Sequence, residues 1–248
     1  MSKTIVYAIH GFLGQSADWS AVKNFLLQDT EKQTVQFFAP DLFSPDSSPI
    51  LELEDYVDHL ASEIEEKCEN YENRIFVGYS MGGRLGLHLL NQHPELFDHS
   101  IFLSTNPGLP EQQGAEKNKR LFEDMKWAQQ ITEAQWSSFC DSWNKQGVFE
   151  NSKLEPVRDQ RDYKLESLKR ALVMWSLGQQ DYFADVLQDE SEYLTWAVGE
   201  QDSKYSKMAE DLKQKKILLD YKRIPSSGHR ILFDQPQAVS DLIKQVLK

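Results

Sequence analysis

A chain of 248 residues, 40% hydrophobic and 27% charged, is long enough to fill one well-buried core, and no low-complexity tract interrupts it. With 27 Lys and Arg against 39 Asp and Glu, the net charge of −12 repels nucleic-acid phosphates and anionic lipid surfaces, so no nucleic acid and no membrane is expected as a partner. The two cysteines, Cys68 and Cys140, stand far apart without metal-ligand spacing, which speaks against a disulfide framework or a zinc site.

The first residues carry one lysine and a short apolar run, IVYAI, too short for a signal-peptide core, and no segment reaches the roughly 20 apolar residues of a membrane span. A cytoplasmic protein is expected. Strand-length apolar runs recur at 4–9 (TIVYAI), 34–39 (TVQFFA), 74–79 (RIFVGY), 99–104 (HSIFLS), 194–199 (LTWAVG) and 216–224 (KILLDYKRI). Most are near-continuous rather than alternating, as strands covered on both faces are. Helical patterns lie between them: Trp19, Val22, Phe25 and Leu26 after a possible Ser16 cap; Leu53, Tyr56, Val57, Leu60 and Ile64; Leu85, Leu89 and Leu90; and Val239, Leu242, Ile243 and Val246 after Pro236. This alternation predicts an α/β fold: a mostly parallel sheet of about six strands, helices on both faces, and a ligand site at the C-terminal strand ends.

One interval breaks the rhythm. From about 107 to 192 the chain is polar and helical in character, and it holds Trp127, Trp136, Trp143 and Trp175. Structureless loops beyond about 15 residues are uncommon in compact domains, so a helical lid inserted into a single domain is expected.

Gly78-Tyr79-Ser80-Met81-Gly82 satisfies G-x-S-x-G, after a strand and before a helix. A strained turn there raises a serine hydroxyl above the sheet, and the flanking glycines avoid collisions with neighbouring backbone. A lone serine is a weak nucleophile or base; it needs an imidazole, and a carboxylate to hold that ring's tautomer. His229 follows the last strand and Asp202 the one before, giving the order Ser80, Asp202, His229 expected of a hydrolase triad. Glu200 and Asp185 remain alternatives to Asp202. His59 and His88 fall within helices and His93 and His99 near helix or strand ends, where solvated or packing roles are expected, and His10 reads as shaping the loop after the first strand. Backbone N–H groups of Met81 and of Phe12, in His10-Gly11-Phe12-Leu13-Gly14, are the expected oxyanion donors.

The segments HGFLG, GYSMGGR, NPGL, GEQDSKY and SGHR together resemble the α/β-hydrolase superfamily over nearly the whole chain. Within it they are most similar to the 2-succinyl-6-hydroxy-2,4-cyclohexadiene-1-carboxylate synthases of menaquinone biosynthesis, a likeness that rests on Arg84, Pro107-Gly108-Leu109 and the lid pattern. The resemblance implies a lyase that removes pyruvate from a cyclohexene bearing several carboxylates, without cofactor or metal. It implies a triad of Ser80, Asp202 and His229, with Tyr79, Arg84, Arg120 and Trp143 at a small anionic substrate. A further basic lid residue could be Arg161 or Lys164. The chain departs from the pattern at Asp41-Leu42-Phe43-Ser44-Pro45-Asp46, which lacks the D-x-P-G-x-G turn, at Asn106, where histidine is frequent, and in opening directly on the strand before HGF.

Arg84 is unusual on physical grounds alone, since a cation in a helix's first turn opposes the macrodipole by about 0.3–1 kcal/mol. It either pairs with an acid or binds a substrate carboxylate, for which a guanidinium offers two parallel hydrogen bonds. Arg120 stands four residues from both Glu116 and Asp124, so ordinary helix pairs compete with a substrate role. Trp143 shares a helical face with Phe139 and Trp136, and packing competes there. Two other functions fit the same triad: a serine carboxylesterase, and a protein that keeps the pocket for ligand capture without turnover.

Overall fold

The computed structural model describes residues 3–28 and 34–247. Six strands, β1 (Thr4–Ile9), β2 (Val35–Phe38), β3 (Asn73–Tyr79), β4 (His99–Leu103), β5 (Leu194–Gly199) and β6 (Lys222–Ile224), form one parallel sheet in the order β2-β1-β3-β4-β5-β6. Alternate side chains feed two cores. Ile5, Tyr7, Ile9, Phe76, Phe102, Trp196 and Val198 point to one face, and Val6, Ala8, Ile75, Val77, Ile101, Leu103 and Ala197 to the other. Because both faces are covered, the strands read as unbroken apolar runs.

Helices α1 (Ser20–Gln28) and α10 (Pro236–Gln245) cover the second face through Val22, Leu26, Val239, Leu242 and Ile243. On the first lie α2 (Leu53–Cys68), α3 (Met81–Gln92) and α8 (Ser203–Gln214), which contribute Tyr56, Val57, Leu60, Ile64, Leu85, Leu89, Ala209 and Leu212. Each such aliphatic side chain contributes about 1.5–3 kcal/mol on full burial. Between β4 and β5 the described chain holds α4 (Gly114–Gln130), α5 (Trp136–Asn144), α6 (Leu165–Met174) and α7 (Ala184–Asp189), with no strand among them. The short α9 (Ile231–Asp234) follows β6. Among the described residues no helix is long and apolar enough to cross a membrane.

Two local expectations are corrected. The run at 216–224 is a strand only over Lys222–Ile224. Lys216 takes a left-handed conformation (φ 60°), and Ile217 N–H returns to Leu212 O at 2.9 Å, so the chain closes α8 and buries Leu218 before it extends. Ser16 does not cap α1: it sits inside a preceding 3-10 turn (Ser16–Trp19), and its hydroxyl donates to Asp41 Oδ2 at 2.8 Å.

The strand order reverses at β1, which has β2 on one side and β3 on the other. That switch point opens a crevice at the carboxyl ends of β1 and β3. Ile9 pairs with Gly78 in the register, so the loop after β1 and the turn after β3 emerge side by side.

Candidate active site

Ser80 stands between β3 and α3 with φ 52° and ψ −111°, a conformation that costs a non-glycine residue about 1–3 kcal/mol and is held by its surroundings. Its N–H donates to Leu103 O at 2.9 Å, and its carbonyl accepts the N–H of Arg84 at 3.1 Å. The glycines make room: a Cβ on Gly78 would lie 2.5 Å from Gly83 Cα, and one on Gly82 only 2.3 Å from Ile9 O.

Ser80 Oγ is 3.2 Å from His229 Nε2, and His229 Nδ1 is 2.7 Å from Asp202 Oδ2. The His229 and Asp202 side chains are 4% and 2% exposed, so water competes little for either. Asp202 caps α8, where its second oxygen accepts Tyr205 N–H at 3.2 Å. The rings of Tyr205, Tyr79 and Phe149 pack around the imidazole at 4.5, 5.7 and 5.7 Å between centroids. Glu200 instead accepts Ser226 N–H at 3.4 Å, and Asp185 lies in α7.

Gly11 packs so close that a Cβ there would lie 3.3 Å from Ser80 Cβ, which brings the loop carrying Phe12 beside the serine. Among the described residues the N–H groups of Phe12 and Met81 donate to no other residue. His10 braces this loop. Leu42 N–H donates to its Nε2 at 3.1 Å, so Nδ1 carries the proton and donates to Gly11 O at 2.8 Å. Burial lowers the pKa of this imidazole below the usual histidine range, in keeping with a neutral ring.

A cleft opens over Ser80. Tyr79, Phe12 and Trp143 line it, with the Phe12 and Trp143 rings 4.7 Å apart. Burial pushes the Tyr79 phenol far above its ordinary pKa, so the hydroxyl keeps its proton. The charged residues in the lining are Asp18, Arg158 and Arg230. Arg158 donates to both oxygens of Asp18, at 2.8 and 2.7 Å.

The arginines singled out from the sequence stand elsewhere. Arg84 packs in a separate, tightly filled crevice with Met81, His88, Trp175 and Gln180. Its Nη1 donates to Trp175 O at 2.7 Å and to Gln180 Oε1 at 3.1 Å, and no carboxylate pairs with it among the described residues. Burial first, and then the charge of Arg120, push its pKa down to about 10. Arg120 Nε donates to Asp124 Oδ2 at 2.9 Å, and Ser176 Oγ shares that buried oxygen at 2.7 Å. Lys204, like Arg84, feels the charge of Arg120.

Neither Arg161 nor Lys164 reaches the cleft. Arg161 is exposed and folds onto Asp159, and the Lys164 backbone donates to Phe43 O at 2.9 Å. The basic residues that do reach it, Arg158 and Arg230, were not among the sequence candidates. The one available signal was that Arg230 directly follows His229 in SGHR.

Comparison with known proteins extends over the same span. The family model described as alpha/beta hydrolase family matches residues 6–242. A 2-succinyl-6-hydroxy-2,4-cyclohexadiene-1-carboxylate synthase of Enterobacter sp. (strain 638) is 26% identical, over 97% of this chain and 90% of the relative. The protein of that name from Photorhabdus laumondii is 27% identical, over 89% of this chain and 77% of its own. Among solved structures, MenH from S. aureus superposes with a TM-score of 0.81 at 22% identity, covering 99% of this chain and 93% of that one. A thermophilic esterase from Thermogutta terrifontis gives 0.70 at 18% identity, covering 98% and 89%.

Proposed function

The chain belongs to the alpha/beta hydrolase family, and we propose that within it this protein is a carbon–oxygen lyase acting on a carboxylate-rich ring. The proposed reaction converts 2-succinyl-5-enolpyruvyl-6-hydroxy-3-cyclohexene-1-carboxylate to 2-succinyl-6-hydroxy-2,4-cyclohexadiene-1-carboxylate with release of pyruvate. The observation that carries this reading is the charge of the cleft. In a protein of net charge −12, the lining over Ser80 holds Arg158 and Arg230 against a single acid, Asp18. The names of the relatives support the same choice.

The double bonds in the two compounds define the chemistry. The ring loses a proton at C2 and gains a C2–C3 double bond, the C3–C4 alkene shifts to C4–C5, and the C5–O bond breaks. Asp202 holds His229 so that Nε2 faces Ser80 and takes the hydroxyl proton. The serine oxygen then removes the C2 proton, which the succinyl carbonyl beside it acidifies. Charge that develops on that carbonyl oxygen is met by the N–H groups of Phe12 and Met81 and by the Tyr79 hydroxyl. The departing enolate takes up a proton, returned through Ser80 and His229, and becomes pyruvate. No cofactor or metal enters these steps.

In this reading the helical insertion at about 107–192 acts as the lid over the cleft, with Trp143 as its apolar cover. Arg84 and Arg120 do not line the cleft, and no step here is assigned to them.

One rival has a specific observation behind it: the Ser80–His229–Asp202 chain would equally serve acyl transfer, and an esterase shares the fold. A side-by-side assay separates the two. Pyruvate release from the cyclohexene substrate, abolished in Ser80→Ala, supports the lyase. Rapid turnover of short-chain esters through a covalent acyl-Ser80 adduct, without pyruvate release, replaces it with an esterase.

A further inference from the structure

Arg230 is 5% exposed, lines the cleft over Ser80, and has no carboxylate within ion-pair distance among the described residues. Both nearby acids are committed elsewhere. Asp234 accepts Lys153 N–H at 2.8 Å and Gly228 N–H at 2.9 Å, and Glu155 accepts Asn144 Nδ2 at 2.7 Å. The guanidinium meets neutral groups only: Nη1 donates to Leu154 O at 3.2 Å, Nη2 donates to Asn144 Oδ1, and Cζ lies 4.2 Å over the Phe149 ring. A buried cation without a counter-ion is costly unless an anion is supplied. Arg158 offers the contrast, since it lines the same cleft with its charge already matched by Asp18.

We propose that Arg230 is a specificity residue that receives a substrate carboxylate beside Ser80, with Asn144 as its positioning residue. Asn144 suits that task because Glu155 fixes its amide, which turns Oδ1 toward the guanidinium and keeps the carboxylate one residue away. Most of the N–H groups of Arg230 stay available for a ligand, and a planar fork matches a carboxylate with two parallel bonds. Phe149 stacks on the guanidinium and also packs on His229, so the anchor and the base share one aromatic spacer. The inference rests on the cleft over Ser80 being the reaction chamber.

Succinate serves as the probe, with neutral succinamide as its control, in calorimetric titrations at low salt. The intact protein binds succinate and not succinamide. Arg230→Gln weakens succinate binding by about tenfold to a hundredfold, the loss expected for a charge-assisted pair, and Arg230→Lys retains part of it. Arg161→Gln, a change of equal charge at an exposed site, leaves binding as it was. Should Arg230→Gln fail to fold, Asn144→Ala frees the guanidinium without removing its charge and weakens binding in the same direction. Failure of the intact protein to bind succinate, or undiminished binding in the folded variants, overturns the proposal. Arg230-dependent succinate binding in a protein that releases no pyruvate would remove the lyase reading and leave this one standing. Pyruvate release with an unchanged KM in Arg230→Gln would do the reverse.

Discussion

Asp202 divides its carboxylate between two tasks: Oδ2 holds His229 Nδ1 at 2.7 Å, and Oδ1 caps α8 through the Tyr205 N–H at 3.2 Å. Asp202→Asn keeps the shape and an acceptor for the cap but presents the imidazole with the wrong partner. Turnover is expected to fall by about a thousandfold or more, with KM little changed and stability reduced by only about 1 kcal/mol. Steady-state kinetics together with a denaturant melt check this. A variant retaining a tenth of native turnover would remove Asp202 from the triad.

Gly82 tests the elbow. A methyl group there would meet Ile9 O at 2.3 Å and His10 O at 2.5 Å, both backbone atoms that cannot rotate away. Gly82→Ala is expected to cost about 2–3 kcal/mol and to push the end of β1 outward, carrying the Phe12 loop with it. The loss should appear in kcat more than in KM, and the denaturation midpoint reports the stability part.

The Asp18–Arg158 pair joins the loop after β1 to the insertion, with both side chains about nine-tenths buried. Asp18→Asn strands the guanidinium and is expected to cost about 3–5 kcal/mol, whereas adding Arg158→Met removes the stranded charge and recovers part of that loss. A double-mutant cycle on unfolding free energies measures the coupling. Simple additivity of the two substitutions would show the pair to be energetically idle.

His88 predicts a pH dependence. Burial first, and Arg84 second, lower its pKa from 6.5 to about 4, and its ring packs edge-on against Phe183. Between those values the unfolded chain binds a proton that the native state refuses. Native stability from this group is therefore complete above about pH 6.5 and is lost as pH falls toward 4. Moving from pH 7 to about pH 4.5 should cost the wild type about 2 kcal/mol more than His88→Leu. Parallel acid-side slopes in urea titrations of the two proteins would contradict this.

The parts legible in the sequence are those governed by local periodicity and local backbone chemistry. Strands covered on both faces read as apolar runs, and a strained Gly-x-Ser-x-Gly turn shows itself wherever it occurs. Ser80, Asp202 and His229 could be placed because each ends or follows a strand of the sheet, and strand ends converge. Arg158 and Arg230 could not, because their position depends on how the insertion docks, and docking leaves no period in the chain. The beginning of KILLDYKRI is not strand for a related reason: the turn at Lys216 sends Leu218 back against α8, so an apolar run that reads as strand is spent closing a helix. Arg84 shows the limit of a purely electrostatic argument. Its awkward place at a helix start was legible, but its partners proved to be the Trp175 carbonyl and the Gln180 amide, from a segment nearly a hundred residues away.

His229 and Arg230 are neighbours on one peptide, so the loop after β6 presents a proton acceptor and a cation as a single covalent unit. If Arg230 sets the charge preference of the cleft as proposed, rebuilding the backbone of that loop to change it would also shift the imidazole. The freer route to a different substrate runs through Asn144 and Phe149, which hold the guanidinium from the insertion and are not bonded to the base. An engineer seeking a neutral-substrate enzyme from this scaffold would therefore diversify the insertion first and leave the β6 loop untouched.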